Sequence, residues 1–210
     1  MVQWGMVIDV ETCIGCQTCT ISCKVNNKVS DDVFRTRVVD YETGEYPSVN
    51  RTFLPAHCNQ CDQPKCVSSC PADATWKTEE GVVTIDPEVC TGCKSCVVSC
   101  PYGSRTYLDT DTEFDDNDPF ERRMKEENRL GTVTKCDFCY DRVKEATEAG
   151  YEPGVDPEAT PHCVNSCIGD AKHFGDLDDP ESEVSRMVAN EDVVPLHPER
   201  GTEPNVYYRR

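Results

Sequence analysis

Apolar positions along this chain fall in short runs, few of them long enough for a full helix. Val7-Ile8-Asp9 reads as a short strand near the start. Ala74 to Thr78 and Gly81 to Ile85 read as two strands around the turn Glu79-Glu80-Gly81, and Arg105 to Leu108 as another. Phe34 to Tyr41 and Arg51 to Leu54 predict a hairpin or extended insertion. Helical patterns are few. Pro119 to Asn128 has Asp118 as its cap, Asp137 to Ala149 stops at Gly150, and Pro180 to about Ala189 is capped by Asp179, with Val184, Met187 and Val188 on its apolar side. Residues 109–118 read as an acidic solvated linker, 151–161 as a Pro- and Gly-containing loop, and 193–210 as a tail with little regular structure that wraps over the domain or a neighbour.

Between these runs lie 16 cysteines in four tight groups. Cys13, Cys16, Cys19 and Cys23 follow C-x2-C-x2-C-x3-C, and Cys90, Cys93, Cys96 and Cys100 repeat that spacing. Cys58, Cys61, Cys66 and Cys70 add two residues before the third cysteine; Cys136, Cys139, Cys163 and Cys167 carry a long insertion there. The x3 spacing predicts that each group's last cysteine lies in a short helix, with positions i and i+4 on one face. Four variants of one unit imply an internal duplication.

Composition narrows the chemistry. Of 210 residues only 37% are hydrophobic, mean hydropathy is −0.59 and 14 prolines interrupt long elements. That is thin material for a core, so metal binding is expected to supply folding energy and the metal-free chain to be poorly folded. Disulfides do not fit cysteines two residues apart, and zinc does not call for this four-cysteine run. The run is that of [4Fe–4S] ferredoxins, in which three cysteines hold one cluster and the fourth holds its neighbour. Sixteen thiols at four per cubane leave none spare for a nucleophile.

A formal charge of −18 argues against nucleic acid as a partner. It fits solubility, a salty habitat or steering of a basic partner. The N-terminus lacks the basic and apolar regions of a signal peptide, and no apolar run approaches the ~20 residues of a membrane span. Of the four histidines, His57, His162, His173 and His197, the two that directly precede a cysteine, His57 and His162, are expected at the surface or behind the ligands. Tyr102, Tyr107, Phe138 and Phe174 are expected as packing that keeps water off the clusters, and Lys24, Lys94 and Lys135, beside cysteines, as groups that tune potential or face partners. Neither a Gly-x-Gly-x-x-Gly run nor a P-loop occurs.

The paired groups and their order resemble the four-cluster electron-transfer subunits of molybdenum or tungsten bis-pterin oxidoreductases, the dimethyl sulfoxide reductase superfamily. Within it the chain looks most like the small subunits of arsenate, polysulfide, thiosulfate and tetrathionate reductases. The likeness runs from Met6 through the four groups to Phe174-Gly175-Asp176-Leu177-Asp178-Asp179-Pro180 and Ser182, and returns at Gly201-Thr202-Glu203-Pro204 and Val206-Tyr207-Tyr208. It implies an α+β fold of two duplicated bacterial-ferredoxin-like modules, each holding two [4Fe–4S] clusters, with short strands, short helices and long loop insertions. Residues 1–30 with 130–180 would form one module and 54–108 the other. Residues 31–53 would be a hairpin-like insertion, 109–129 a linker with a short helix, and 181–210 a helix and tail for partner contact.

It also implies ligand sets. Cys13, Cys16, Cys19 and Cys167 would hold the first cluster, and Cys23, Cys136, Cys139 and Cys163 the second. Cys70, Cys90, Cys93 and Cys96 would hold the third, and Cys58, Cys61, Cys66 and Cys100 the fourth. They would form a wire in that order, from a catalytic metal–pterin subunit to a quinone-linked membrane anchor or a soluble partner. This chain would have no catalytic site and no spanning segment, and would reach the periplasm by co-export with the catalytic subunit or remain cytoplasmic. Alternatives are the equivalent subunit of a hydrogenase, formate dehydrogenase or carbon monoxide dehydrogenase, or a free polyferredoxin. Two departures stand out: Ile168 follows Cys167 where Cys-Pro is usual, which predicts a looser turn, and the segment from Tyr140 to His162 is long.

Overall fold

The computed structural model describes residues 2–190 and 192–210. Strand β1 (Trp4–Asp9) leads to the first cysteine group, whose last two members ride on α1 (Thr18–Asn26). A long hairpin, β2 (Thr36–Glu45) and β3 (Ser48–His57), delivers the chain directly to Cys58. Then α2 (Lys65–Ser68) carries Cys66, β4 (Thr75–Lys77) and β5 (Val83–Ile85) pair, α3 (Ser95–Ser99) carries Cys96, and β6 (Arg105–Tyr107) follows. Beyond the acidic stretch come α4 (Pro119–Glu127), β7 (Val133–Lys135), α5 (Tyr140–Glu148) and α6 (His162–Asn165), which carries Cys163. Strand β8 (Lys172–Asp176), α7 (Glu183–Asn190), β9 (Val193–Pro195) and β10 (Val206–Arg209) complete the chain.

One four-stranded sheet, in the order β8-β1-β10-β9, anchors the molecule. Its centre, β1, is buried throughout and alternates with period two. Trp4, Met6 and Ile8 join Phe138, Val143, Phe174, Val206 and Tyr208 in the main core, while Val7 turns to the opposite face against Val184 and Met187 of α7. Cys19 and Cys163 belong to that main core, so the cysteine loops are part of the packing. The helices bring the groups together in pairs: α1 packs on α6, tied by Ser22 Oγ donating to His162 O at 3.2 Å, and α2 on α3, tied by the Ser69 and Ser99 hydroxyls at 2.9 Å.

The three helical patterns correspond to α4, α5 and α7, and Asp118 caps α4 by accepting from the Phe120 and Glu121 amides. α7 starts at Glu183, beyond the expected Pro180 start and its cap Asp179. Other expectations fail as well. Of the last cysteines in each group, Cys23 alone lies within a helix; Cys70, Cys100 and Cys167 fall just beyond α2, α3 and α6, because those helices last a single turn. Nor is the tail irregular. β10 inserts between β1 and β9, parallel to β1, and residues 202–205 zip onto the Cys58 loop through Gln63 N to Thr202 O and Asn205 N to Asn59 O. Val206 and Tyr208 are buried. Four residues are too few to stand out as a strand when their partner lies some two hundred residues away.

Ile168 does not loosen its turn. Asp170 N bonds Cys167 O at 3.3 Å, the same closure as Gly103 N to Cys100 O.

Candidate iron–sulfur sites

The four cysteine loops share one backbone device. Two residues after the first cysteine of every group the chain turns left-handed, at Gly15, Gln60, Gly92 and Phe138, with φ of 68°, 45°, 68° and 58°. Such a reversal aims successive amides into a concavity suited to an anion. Gln60 and Phe138 bear a strain of about 1–3 kcal/mol each and are held by their surroundings. Gln60, fully buried, accepts from Val83 N and donates to Cys136 O, both at 2.9 Å; Phe138 is pinned edge-on against the rings of Phe174 and His57. At Gly92 a Cβ would fall onto the Gly131 carbonyl oxygen. Gly92→Ala is expected to lower stability by about 1–3 kcal/mol, read from anaerobic denaturant unfolding.

Three cavities of closely similar size follow from these loops. Cys13, Cys16, Cys19 and Cys167 line one of about 340 Å³. Cys58, Cys61, Cys66 and Cys100 line one of about 350 Å³, and Cys23, Cys136, Cys139 and Cys163 one of about 320 Å³. Each draws three cysteines from one group, or two and a distant third, and one from its packed partner group. Around the remaining four, Cys70 and Cys90 lie close enough to Cys96 to raise its thiol, and Cys93 lies at the rim. Among the described residues no three His, Cys, Asp or Glu side chains converge as closely as one metal ion requires. Thiols that ring a cavity yet stand too far apart for a single ion fit a cubane and not zinc.

Burial dominates the thiol chemistry. It pushes Cys23 and Cys61 up to about 12 and Cys139 to about 11, and it raises Cys136 well above the ordinary range. These thiols hold their protons at neutral pH until iron displaces them. Cys16 and Cys93, the exposed cysteines, move the other way, through hydrogen bonds to Thr18 and to Ser95.

Three buried cations stand among the sites. Lys172 lines the Cys13 cavity, and its charge is felt by Cys163, Cys19, Cys136 and Cys167. Arg105 lines the Cys58 cavity, with Nη2 donating to Cys66 Sγ at 3.0 Å and to Thr75 Oγ1 at 3.0 Å, and its field reaches Cys96. Lys135, paired with Arg105 across β6 and β7, donates to Val83 O and Cys136 O, and with Arg105 it partly offsets the burial that raises Cys66.

Gln60 joins the Cys58 loop to Cys136, and Lys135, the residue before Cys136, reaches Val83 O; the order implied by the resemblance, with the Cys70 set third, does not anticipate these contacts. The exposed thiols, Cys16 and Cys93, belong to the Cys13 and Cys70 sets.

The other sequence candidates divide. His57 is fully buried beside Cys58, with burial and the Lys172 charge pushing it down to about 3, so its ring is neutral; Nε2 faces Met6 Sδ at 3.2 Å. His162 lines the Cys23 cavity, whereas His173 and His197 face glutamates. Phe138 and Phe174 are core, Tyr102 bonds Thr202 beside the Cys58 cavity, and Tyr107 lies under Lys94. Lys24 is tied to the carbonyls of Ser30, Asp31 and Val33. Sequence reasoning passed over Lys172, Arg105 and Thr202. The first two carried a signal: each is the fifth residue after the last cysteine of its group.

A family model described as a 4Fe-4S dicluster domain matches residues 49–118, and one described as a 4Fe-4S binding domain matches residues 10–26. A selenate reductase subunit of Mesobacillus selenatarsenatis is 37% identical, over 99% of this chain and 72% of that protein. A tetrathionate reductase subunit of Salmonella typhimurium is 37% identical, over 98% of this chain and 72% of its own length. The arsenate respiratory reductase iron-sulfur subunit of a Shewanella species is 33% identical, over 98% of this chain and 95% of its own length. The chain belongs to the iron–sulfur subunits of these reductases. As a member, this iron–sulfur subunit transfers electrons and is not the catalytic component. No helix among the described residues is long and apolar enough to cross a membrane.

Proposed function

We propose that this subunit holds four [4Fe–4S] clusters in two duplicated modules and relays single electrons between a molybdenum- or tungsten-pterin catalytic subunit and a quinone-linked membrane subunit or soluble partner. Its ligands would be Cys13, Cys16, Cys19 and Cys167; Cys23, Cys136, Cys139 and Cys163; Cys58, Cys61, Cys66 and Cys100; and Cys70, Cys90, Cys93 and Cys96, in that spatial order. The observation that carries the reading is the set of three near-equal cavities, each ringed by four thiols from two packed groups. Bound, each cluster would supply one-electron redox chemistry. The chain's own part is to hold the ligands, exclude water with the Phe138 and Phe174 rings, and counter the accumulated negative charge with Lys172, Lys135 and Arg105. The catalytic subunit would meet the Cys13 end and the electron partner the Cys70 end, and co-export with the catalytic subunit would place the complex in the periplasm.

Anaerobic purification of the native complex, with metal analysis and subunit identification, tests this. About sixteen irons on this chain, after subtraction of the partner's, and a molybdenum- or tungsten-bearing large subunit are expected. Full iron loading without such a subunit would make the chain a free carrier.

A further inference from the structure

We infer that Lys172 and Arg105 are equivalent counter-charges, one in each half of the molecule, and that each raises the reduction potential of the two clusters it stands between. The inference rests on the four-cluster reading above. Its basis is a coincidence of position, burial and isolation that packing alone does not require.

The position repeats. Lys172 is five residues after Cys167 and Arg105 five after Cys100. In both places the chain leaves the last cysteine, turns left-handed three residues on, at Asp170 (φ 50°) and Gly103 (φ 58°), and starts a strand with the cation as its first residue. The residue five beyond Cys70 is Thr75, again the first of a strand, and it accepts from Arg105. Equivalent loops of two cysteine groups thus present a cation at one structural point.

Both cations are buried, with residue exposures of 2% for Lys172 and 4% for Arg105. Among the described residues no carboxylate pairs with either, and Lys172 Nζ and Arg105 Nη1 have no hydrogen-bond partner. A buried unpaired charge is costly. Here the opposite charge would come from the ligand thiolates, Cys19 and Cys167 with Cys136 and Cys163 for Lys172, and Cys58 and Cys66 with Cys96 for Arg105. Each cation therefore faces two sites at once. Burial favours the less charged, oxidised form of a cluster and lowers its potential; a fixed cation favours the reduced form, which carries one more negative charge. Lys135 differs, because two carbonyls already take its protons.

The test is a potentiometric titration of the loaded complex, followed by electron paramagnetic resonance, for wild type, Lys172→Met, Lys172→Arg and Arg105→Met. At fixed potential, Lys172→Met is expected to shift the oxidised-to-reduced ratio of two clusters at least tenfold toward oxidised, about 59 mV for one electron, and to leave the other two in place. Arg105→Met should move the complementary pair, and Lys172→Arg should restore the first. Loaded variants with unmoved potentials, or a shift spread equally over four clusters, overturn the inference. Uncharged variants of both residues that lose iron while Lys172→Arg and Arg105→Lys keep it would assign the pair to assembly instead. Wild type without four clusters would refute the underlying reading, which iron content reveals before any variant is made.

Discussion

Anaerobic removal of iron from the loaded protein with a chelator is expected to abolish its cooperative unfolding transition. Circular dichroism and guanidinium titration, before and after chelation, would show it. The helices run four to nine residues, below the length at which helices persist alone. Apart from the four-stranded sheet, every sheet among the described residues is a two-stranded pair, which is marginal by itself. Without iron the thiols that burial raises, Cys19 and Cys136 near Lys172 and Cys66 and Cys96 near Arg105, keep their protons, so the two cations lose counter-charge. Leaving one buried charge unpaired typically costs about 3–5 kcal/mol, and two such losses approach the whole stability of an ordinary domain, about 5–15 kcal/mol. A metal-free chain that kept a sharp transition would show that the apolar core suffices, contrary to this account.

Cys136→Ser is expected to remove about four irons and reduce electron delivery through the complex to background. Cys93→Ser is expected to cost less. The Cys136 carbonyl is held by Lys135 and Gln60 at the junction of the two halves, so in the proposed order a lost site there interrupts the path in the middle. Cys93 is exposed at one end, where water can take a vacated ligand position. Iron stoichiometry together with turnover supported by a reduced artificial donor separates the cases. Equal and complete loss in both would show that the order proposed here is wrong.

The cysteine spacings made the site class legible, because four thiolates around a cubane demand a local pattern that few other structures share. Elements defined by nearby residues were legible too: the cap at Asp118, the β4–β5 hairpin, and the Val7-Ile8-Asp9 half of β1. What stayed hidden was defined by distant partners. β10 is a strand because β1 and β9 flank it, and β7 because β6 lies beside it. Lys172 and Arg105 look like ordinary surface cations until the fold encloses them. The contacts by which Gln60 and Lys135 tie the chain around Cys136 to the Cys58 loop and β5 were likewise invisible.

The insertion of β10 beside β1 also has a consequence for the newly made chain. The proposed Cys58 and Cys70 sets would both lie within residues 58–100, so their ligands would be present while synthesis continues. The half that begins first finishes last: Cys13, Cys16 and Cys19 wait for Cys167, and β1 waits for Tyr207 and Tyr208. Until residues 206–209 leave the ribosome, β1 exposes the bonding edge that β10 will cover. Loss of residues 201–210 would therefore strike β1, a strand laid down some two hundred residues earlier.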